Sequence, residues 1–452
     1  MTDRTERAPS AFRLNLEQQK NRAKELLRAV KAGDAEALSR FAAARSGSVI
    51  PESTDASQVT AKLADAQFVI ARELRFASWT KLKAHIAAME RQRAAIDGRL
   101  PPPDSDLKTL HIRCGHDIQQ PLVDAGFVGD FLVDALPYGR LPLTSGPGRL
   151  ERFARELTPD GKSIFGHNYE EMLADLRHVE QQLEASADDY ERVVIWMEHD
   201  TYDQVVLAKL LAHYATAKQP RILELIAVDE FPGGQRFLGI GQLPPEALRL
   251  LWPTRKPITS AQLSLGQDVW IALSLADPRP LATLARSGTP ALPMMAPALL
   301  RHLNELPSVA NGLRLSEQLL LEILSNHNSL RRNPLFGRLQ LRDPLPYNGD
   351  LAYFELLDYM IAGTAPLVSV FRTQVNEQQF RIDVSITDLG RAVLRGDRDW
   401  LSLHPPSRWL GGVHIQPGFP CWRWSESERD TVFANSDALR SIKEIGSPPA
   451  QA

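Results

Sequence analysis

Cysteine is scarce in this chain: Cys114 and Cys421 are the only two in 452 residues. Two thiols so far apart exclude a cysteine-built zinc site or cluster and give no disulfide framework, which points to a reducing cytoplasm. An excess of either charge is lacking too. With 52 Lys+Arg against 55 Asp+Glu, no global basic field marks a binder of nucleic acid or of an anionic membrane. No stretch reaches 18 uncharged apolar residues, and Met1 to Asn15 is polar, without the apolar centre of a signal peptide. The expectation is a soluble, cytoplasmic protein with no place in a membrane.

Several catalytic signatures are missing as well. The turn after the first predicted strand carries only Gly115, and no G-x-x-x-x-G-K-[ST] occurs, so nicotinamide and P-loop chemistry are disfavoured. There is no G-x-S-x-G elbow and no H-E-x-x-H. Cys114 falls inside a predicted buried strand, where cysteine acts as a small hydrophobe. Phe231-Pro232-Gly233-Gly234 reads as a plain turn rather than a phosphate cradle.

What is present is ordinary globular material. Hydrophobic residues at 43% and charged residues at 24% exclude disorder and collagen, and the length suits two to four domains. Residues 1–100 read as a helical leader: Leu16, Ala23, Leu26, Leu27 and Val30 recur at helical spacing, Gly33 stops that helix, and Asp34 and Ser78 open others. Its 18 Lys+Arg against 12 Asp+Glu describe a solvated face. Pro101, Pro102 and Pro103 then form a stiff connector.

Residues 107–306 follow a different pattern. Leu107–Cys114, Arg192–Met197 and Arg221–Val228 look like buried strands, and Asp203–Tyr214 has helical period, so an open, mainly parallel α/β sheet is expected. Residues 310–452 read as a C-terminal α+β module: helices at Leu315–Leu324 and Leu351–Ile361, a hairpin of Pro366–Val370 with Phe380–Ile386, a helix opening at Thr387, and strands Trp409–Ile415 and Cys421–Trp424. That order is compatible with a winged-helix-like module.

Each predicted strand of the α/β segment runs into ionisable residues: His116 and Asp117; then Glu198, His199 and Asp200, with Asp203 one turn later; then Asp229 and Glu230. Ligands bind at the carboxyl ends of strands in open sheets, so His116, Asp117, Glu198, Asp200, Asp203 and Asp229 form the candidate ligand-binding set. Glu198, His199 and Asp229 are the candidates for catalysis, whether as metal ligands or as general acid and base. A competing reading makes Asp117 and Asp200 helix N-caps, each with a polar or acidic residue three positions on. Strand alternation points Glu198 and Asp200 to one side and His199 to the other.

Further along, His302 and Glu305 lie one helical turn apart, as a surface pair or a satisfied core pair. Arg391, Arg395, Arg398, Arg408 and Arg423, with Trp409, Trp422 and Trp424, suggest nucleic acid. Asp383, Asp388, Asp397 and Asp399 interleave with them and favour a salt-bridged surface instead.

Two resemblances add to this. Leu110-His111-Ile112-Arg113-Cys114-Gly115, Ala125-Gly126-Phe127-Val128-Gly129-Asp130-Phe131 and above all Trp196-Met197-Glu198-His199-Asp200-Thr201-Tyr202-Asp203-Gln204 resemble the uncharacterised bacterial domain-of-unknown-function family numbered eighteen thirty-five. Thr387–Leu394 and Arg408–Gly412 look like the C-terminal domain that commonly accompanies it. The resemblance spans about residues 107–425 and implies no reaction, cofactor or catalytic residue. In the leader, Leu63–Gln67, Ile70–Glu73 and Phe76–His85 are similar to a helical segment found ahead of ankyrin-type repeats, which implies a protein-contact module.

The sequence therefore yields a small-molecule-binding regulatory or adaptor protein as the leading expectation. A metal-assisted hydrolase or transferase using the same His/carboxylate set is the rival, and a protein–protein scaffold the third. The identity of the ligand and of any cofactor or metal is left open, as is whether the C-terminal module touches nucleic acid.

Overall fold

A computed structural model describes residues 11–45, 61–135, 142–143, 148–159, 161–163, 166–347, 349–376 and 380–434. Four helices come first: α1 (Leu16–Lys31), α2 (Ala35–Arg45), α3 (Leu63–Glu73) and α4 (Trp79–Asp97). Next come β1 (Thr109–Arg113), α5 (Gln119–Asp124), β2 (Asp130–Val133), α6 (Arg149–Leu157), α7 (Tyr169–Asp189), β3 (Arg192–Glu198), α8 (Thr201–Thr216), β4 (Ile222–Val228), α9 (Pro245–Leu251) and β5 (Lys256–Pro257). The remainder is α10 (Ser260–Ser274), α11 (Arg279–Ser287), α12 (Met295–Leu303), α13 (Leu315–Ser325), β6 (Leu330–Arg331), α14 (Arg332–Arg342), α15 (Asp350–Ile361), β7 (Val368–Gln374), β8 (Phe380–Ile386), α16 (Asp388–Leu394), β9 (Arg408–Leu410), β10 (Val413–Ile415), β11 (Cys421–Ser425) and β12 (Asp430–Ala434).

The fold is α/β, as the alternation of strands and helices predicts. Its main sheet is mixed and mostly parallel, in the order β2-β1-β3-β4-β5. Every residue of β3 is buried, which explains why Arg192-Val-Val-Ile-Trp-Met-Glu198 reads as an unbroken apolar run rather than an alternation. Among the described residues no helix is long and apolar enough to cross a membrane.

By packing, the chain divides into two compact units, each discontinuous in sequence. The first comprises Met1–Leu110, His116–Phe131 and Ile226–Lys256. Its leader helices enclose a core of Ala23, Leu26, Val30, Phe41, Ile70, Leu82 and Ile86. Asn15 and Ser78 cap α1 and α4, and Gly33 at φ +77° takes the left-handed conformation that ends α1. Phe12 is fully buried against Phe231 and Phe237. A Cβ on Gly233 would lie 2.5 Å from the Phe12 ring, so this glycine leaves room for Phe12, which accounts for it without a phosphate. Glu246 on α9 receives Arg13 at 2.7 Å and Arg93 at 2.8 Å. Burial alone would raise the Glu246 carboxyl, but the two guanidiniums hold it below the usual range.

The second unit comprises His111–Gly115, Leu132–Leu225 and Pro257–Ala452. Helices α8 and α10 approach closely because a Cβ at Gly266 would fall 2.2 Å from the Leu211 Cβ. Helices α13, α14 and α15 share one apolar core with a three-stranded sheet ordered β6-β8-β7. Leu320, Leu324, Leu335, Tyr353, Met360 and Val384 fill it.

Several elements escaped the sequence reading: β2, β5, α6, α7, β6, α14 and β12. For α7 the signal was there, since Asn168 and Glu171 form a reciprocal capping box. Trp409–Ile415 is a hairpin rather than one strand. Gly411 and Gly412 turn the chain where side chains would strike the carbonyls of Leu273 and Ser274, and β9 and β10 pair antiparallel on either side.

Candidate functional site

The site grows out of the turn that joins β3 to α8. Asp200 is the N-cap of α8, its carboxylate accepting the Asp203 amide at 2.8 Å. Asp203 reaches back and accepts the Glu198 amide at 2.8 Å. These two bonds bring three carboxyl groups together: one ligand-type oxygen from each of Glu198, Asp200 and Asp203 lies within 4.8 Å of the others. Glu198 and Asp203 are buried and Asp200 is half-buried.

Among the described residues one cation answers them. Arg113, the last residue of β1, is buried and donates to Glu198 Oε2 at 3.1 Å, to Asp203 Oδ1 and to the Trp196 carbonyl at 3.4 Å. The Cys114 thiol donates to Asp203 Oδ2 at 2.9 Å. Gln204 donates to the Glu198 carbonyl at 2.6 Å, and the Trp196 indole donates to His111 Nδ1 at 3.1 Å. Glu198 and Asp203 are therefore fixed in place, and α8 cannot rotate without breaking them.

The electrostatics follow from that geometry. Burial, reinforced by the Asp203 charge, pushes the Asp200 carboxyl up to about 8, beyond what the Asp203 amide, Arg113 and Glu198 draw back. Asp200 thus carries a proton near neutral pH beside Glu198. Burial and the same Asp203 charge raise the Cys114 thiol well above its usual value, so it is a hydrogen-bond donor and not a nucleophile. The carboxyl spacing would suit a divalent cation. Arg113 already neutralises two of the three groups, and that opposes an ion at the same oxygens.

No protein-family model and no curated protein matches this chain. The site must be judged on its own residues.

Of the residues singled out in the sequence, Glu198, Asp200 and Asp203 come together, but through the turn into α8 and not through strand alternation, because β3 ends at Glu198 and Asp200 is already the cap of α8. His199, between them, is half-buried. His116, Asp117 and Asp229 belong to the first unit, and all three are exposed. His116 Nδ1 pairs with Gln119 Oε1 of its own turn at 2.9 Å. Asp117 is not an N-cap: α5 starts at Gln119 behind Ile118, with no side-chain cap. Its carboxylate packs on Gly241 instead, where a Cβ would lie 2.7 Å away. The reading from sequence missed Arg113, Cys114 and Gln204. An arginine inside an apolar strand was the available signal, because a buried guanidinium demands a carboxylate partner.

A second buried ionic group lies in the same unit. Arg301 on α12 donates to Glu305 at 2.7 Å, to Asp343 at 3.0 and 2.7 Å and to Ser316 at 3.0 Å. Ser316 gives both its amide and its hydroxyl to Glu305. Arg314 pairs with Glu317 at 2.9 Å, and Arg408 donates to the Glu305 carbonyl at 2.6 Å. The His302–Glu305 pair seen in the sequence is thus in the core. Burial would raise Glu305, but Arg301 and Arg314 lower it, while burial drives His302 down to about 3. Of the C-terminal arginines, Arg395 pairs with Asp397 at 2.7 Å and buried Arg423 with Asp399 at 2.8 Å, whereas Arg391 and Arg408 donate to the carbonyls of Ser325 and Glu305.

Proposed function

We propose that this chain is a small-molecule-binding regulatory or adaptor protein of the cytoplasm, with its ligand site at the turn from β3 to α8. The observation that carries this is the half-buried Asp200 carboxyl, which holds its proton beside Glu198 while Arg113 fixes Glu198 and Asp203 behind it. Such a pair offers a donor and an acceptor side by side. A small polar molecule with hydroxyl or amine groups is the complementary ligand. The residues that carry the resemblance to the family numbered eighteen thirty-five, Trp196–Gln204, are those that build this turn.

The C-terminal module is read as the output part. Its order of helix, strand, helix, helix, strand, strand and its β6-β8-β7 sheet support a winged-helix-like unit. The helical leader is read as a protein-contact module.

The rival is a metal-assisted hydrolase or transferase, favoured by the 4.8 Å spacing of the three carboxyls and opposed by Arg113. Native mass spectrometry of the purified protein, compared with its denatured mass, separates the two. The regulatory reading expects a retained small molecule that Asp200→Asn releases. A stoichiometric divalent ion, lost in Glu198→Ala, would transfer the assignment to the enzyme.

A further inference from the structure

The three-stranded sheet of the second unit has two unlike edges. One, β6, is two residues long; the other, β7, runs for seven, Val368-Ser-Val-Phe-Arg-Thr-Gln374. All of β7 pairs with β8 in unbroken register, from Val368 opposite Ile386 to Gln374 opposite Phe380. It has no bulge, proline or lysine, the devices that close an edge elsewhere: β5, at the edge of the main sheet, is Lys256-Pro257. The one charge on β7, Arg372, folds back over the Phe380 ring at 3.7 Å.

Just before β7, the Thr387 amide donates to the Leu367 carbonyl at 3.0 Å. Bonded and non-bonded pairs alternate along an antiparallel ladder, so Ser369, Phe371 and Thr373 are the residues bonded to β8. Val370, Arg372 and Gln374 then turn N–H and C=O outward, and among the described residues nothing meets them. Val370 is 39% exposed and Phe371, on the opposite face of the strand, 56%. A nucleic-acid phosphate only accepts hydrogen bonds and would leave the outward carbonyls unmet. An antiparallel copy of β7 meets both kinds of group. The strand has its midpoint at Phe371, so a two-fold axis there overlaps its whole length and bonds Val370 of each copy to Arg372 of the other. The same axis sets the two Phe371 rings against each other and Ser369 opposite Thr373. An axis at Arg372 would instead put two like charges face to face. We infer that a second copy of this chain docks here, β7 against β7 about Phe371, joining the two three-stranded sheets into one. The inference stands on the edge of this sheet, independently of the ligand site.

Cysteine placement in the full-length protein tests the register, since Cys114 and Cys421 are both buried. With diamide as oxidant, Phe371→Cys should give a disulfide-linked dimer, because residues of a non-bonded pair have Cα atoms about 4.5 Å apart. Thr373→Cys should stay a monomer on the same non-reducing gel, its two copies lying about 14 Å apart. In sedimentation velocity the wild type is expected to be a dimer. Arg372→Pro removes an outward N–H without touching the bonds to β8, and should raise the dissociation constant at least about tenfold with an unchanged circular dichroism spectrum. Should that proline unfold the protein, the cysteine pair alone decides. A monomeric wild type overturns the inference, as does equal cross-linking at both positions, none in Phe371→Cys, or a folded Arg372→Pro that dimerises as before. A monomer that binds a fluorescent DNA duplex, with binding lost in Arg372→Pro, would make nucleic acid the occupant and overturn it as well.

Discussion

At the end of β3, three carboxyl groups meet one guanidinium among the described residues; around α12, the carboxylates of Glu305, Glu317 and Asp343 meet Arg301 and Arg314, and Arg408 donates to the Glu305 carbonyl. Most of these groups are buried in both places, and the outcome is opposite. Glu305 is held below the usual carboxylate range, while Asp200 is lifted to about 8. The arithmetic of charge decides this. A group with a guanidinium at hand for each buried carboxylate acts as a staple between α12, α13 and the segment after α14. An acid-rich group keeps one proton and one unmet electrostatic demand, and that marks a place for a ligand.

The largest effect should come from breaking the staple. Glu305→Gln leaves the buried Arg301 with half its neutralisation and is expected to lower unfolding stability by about 3–5 kcal/mol in urea titration. A loss under about 1 kcal/mol would mean that this group is not a staple.

Asp200→Asn tests the other side. Asparagine keeps the N-cap but cannot ionise. Because the folded carboxyl titrates above its unfolded value, wild-type stability is fully present below about pH 4 and is lost as pH rises through about 8. The variant should lack that loss and gain on the wild type by about 3–4 kcal/mol between pH 5 and pH 8. Parallel stability curves would show that Asp200 is an ordinary ionised cap.

His302 supplies an effect on the acid side. Its folded value near 3 lies below the unfolded one, so the unfolded chain takes the proton first. Stability from this group is complete above about pH 6.5 and declines by about 1.4 kcal/mol per pH unit below it. His302→Gln should flatten that limb of the curve whatever it does to stability at pH 7. The smallest effect belongs to a pair in water: Arg395→Ala removes the exposed contact with Asp397 and should shift stability by less than about 0.5 kcal/mol.

Much of this contrast was legible in the sequence. Period and punctuation marked β3, α8, α13, α15 and the leader, because apolar spacing and caps are local. Glu198, Asp200 and Asp203 stood out because a strand that ends in acids is conspicuous. Arg113 stayed hidden because its partners are 85 and 90 residues away, and no local rule pairs them. The short strands β2 and β5 were missed for a related reason: two to four residues give no period to detect, and only the sheet beside them makes them strands. The hairpin at Gly411-Gly412 depended on a close approach to Leu273 and Ser274 that spacing cannot encode.

The central claim concerns the proton on Asp200, and a carboxyl-carbon NMR titration of the wild type against Asp200→Asn measures it directly. The account predicts one resonance, absent in the variant, that titrates near pH 8, with a coupled displacement of the Glu198 signal. A wild type in which every carboxyl titrates below about pH 5 would contradict it, and would reduce the turn from β3 to α8 to a well-capped helix start.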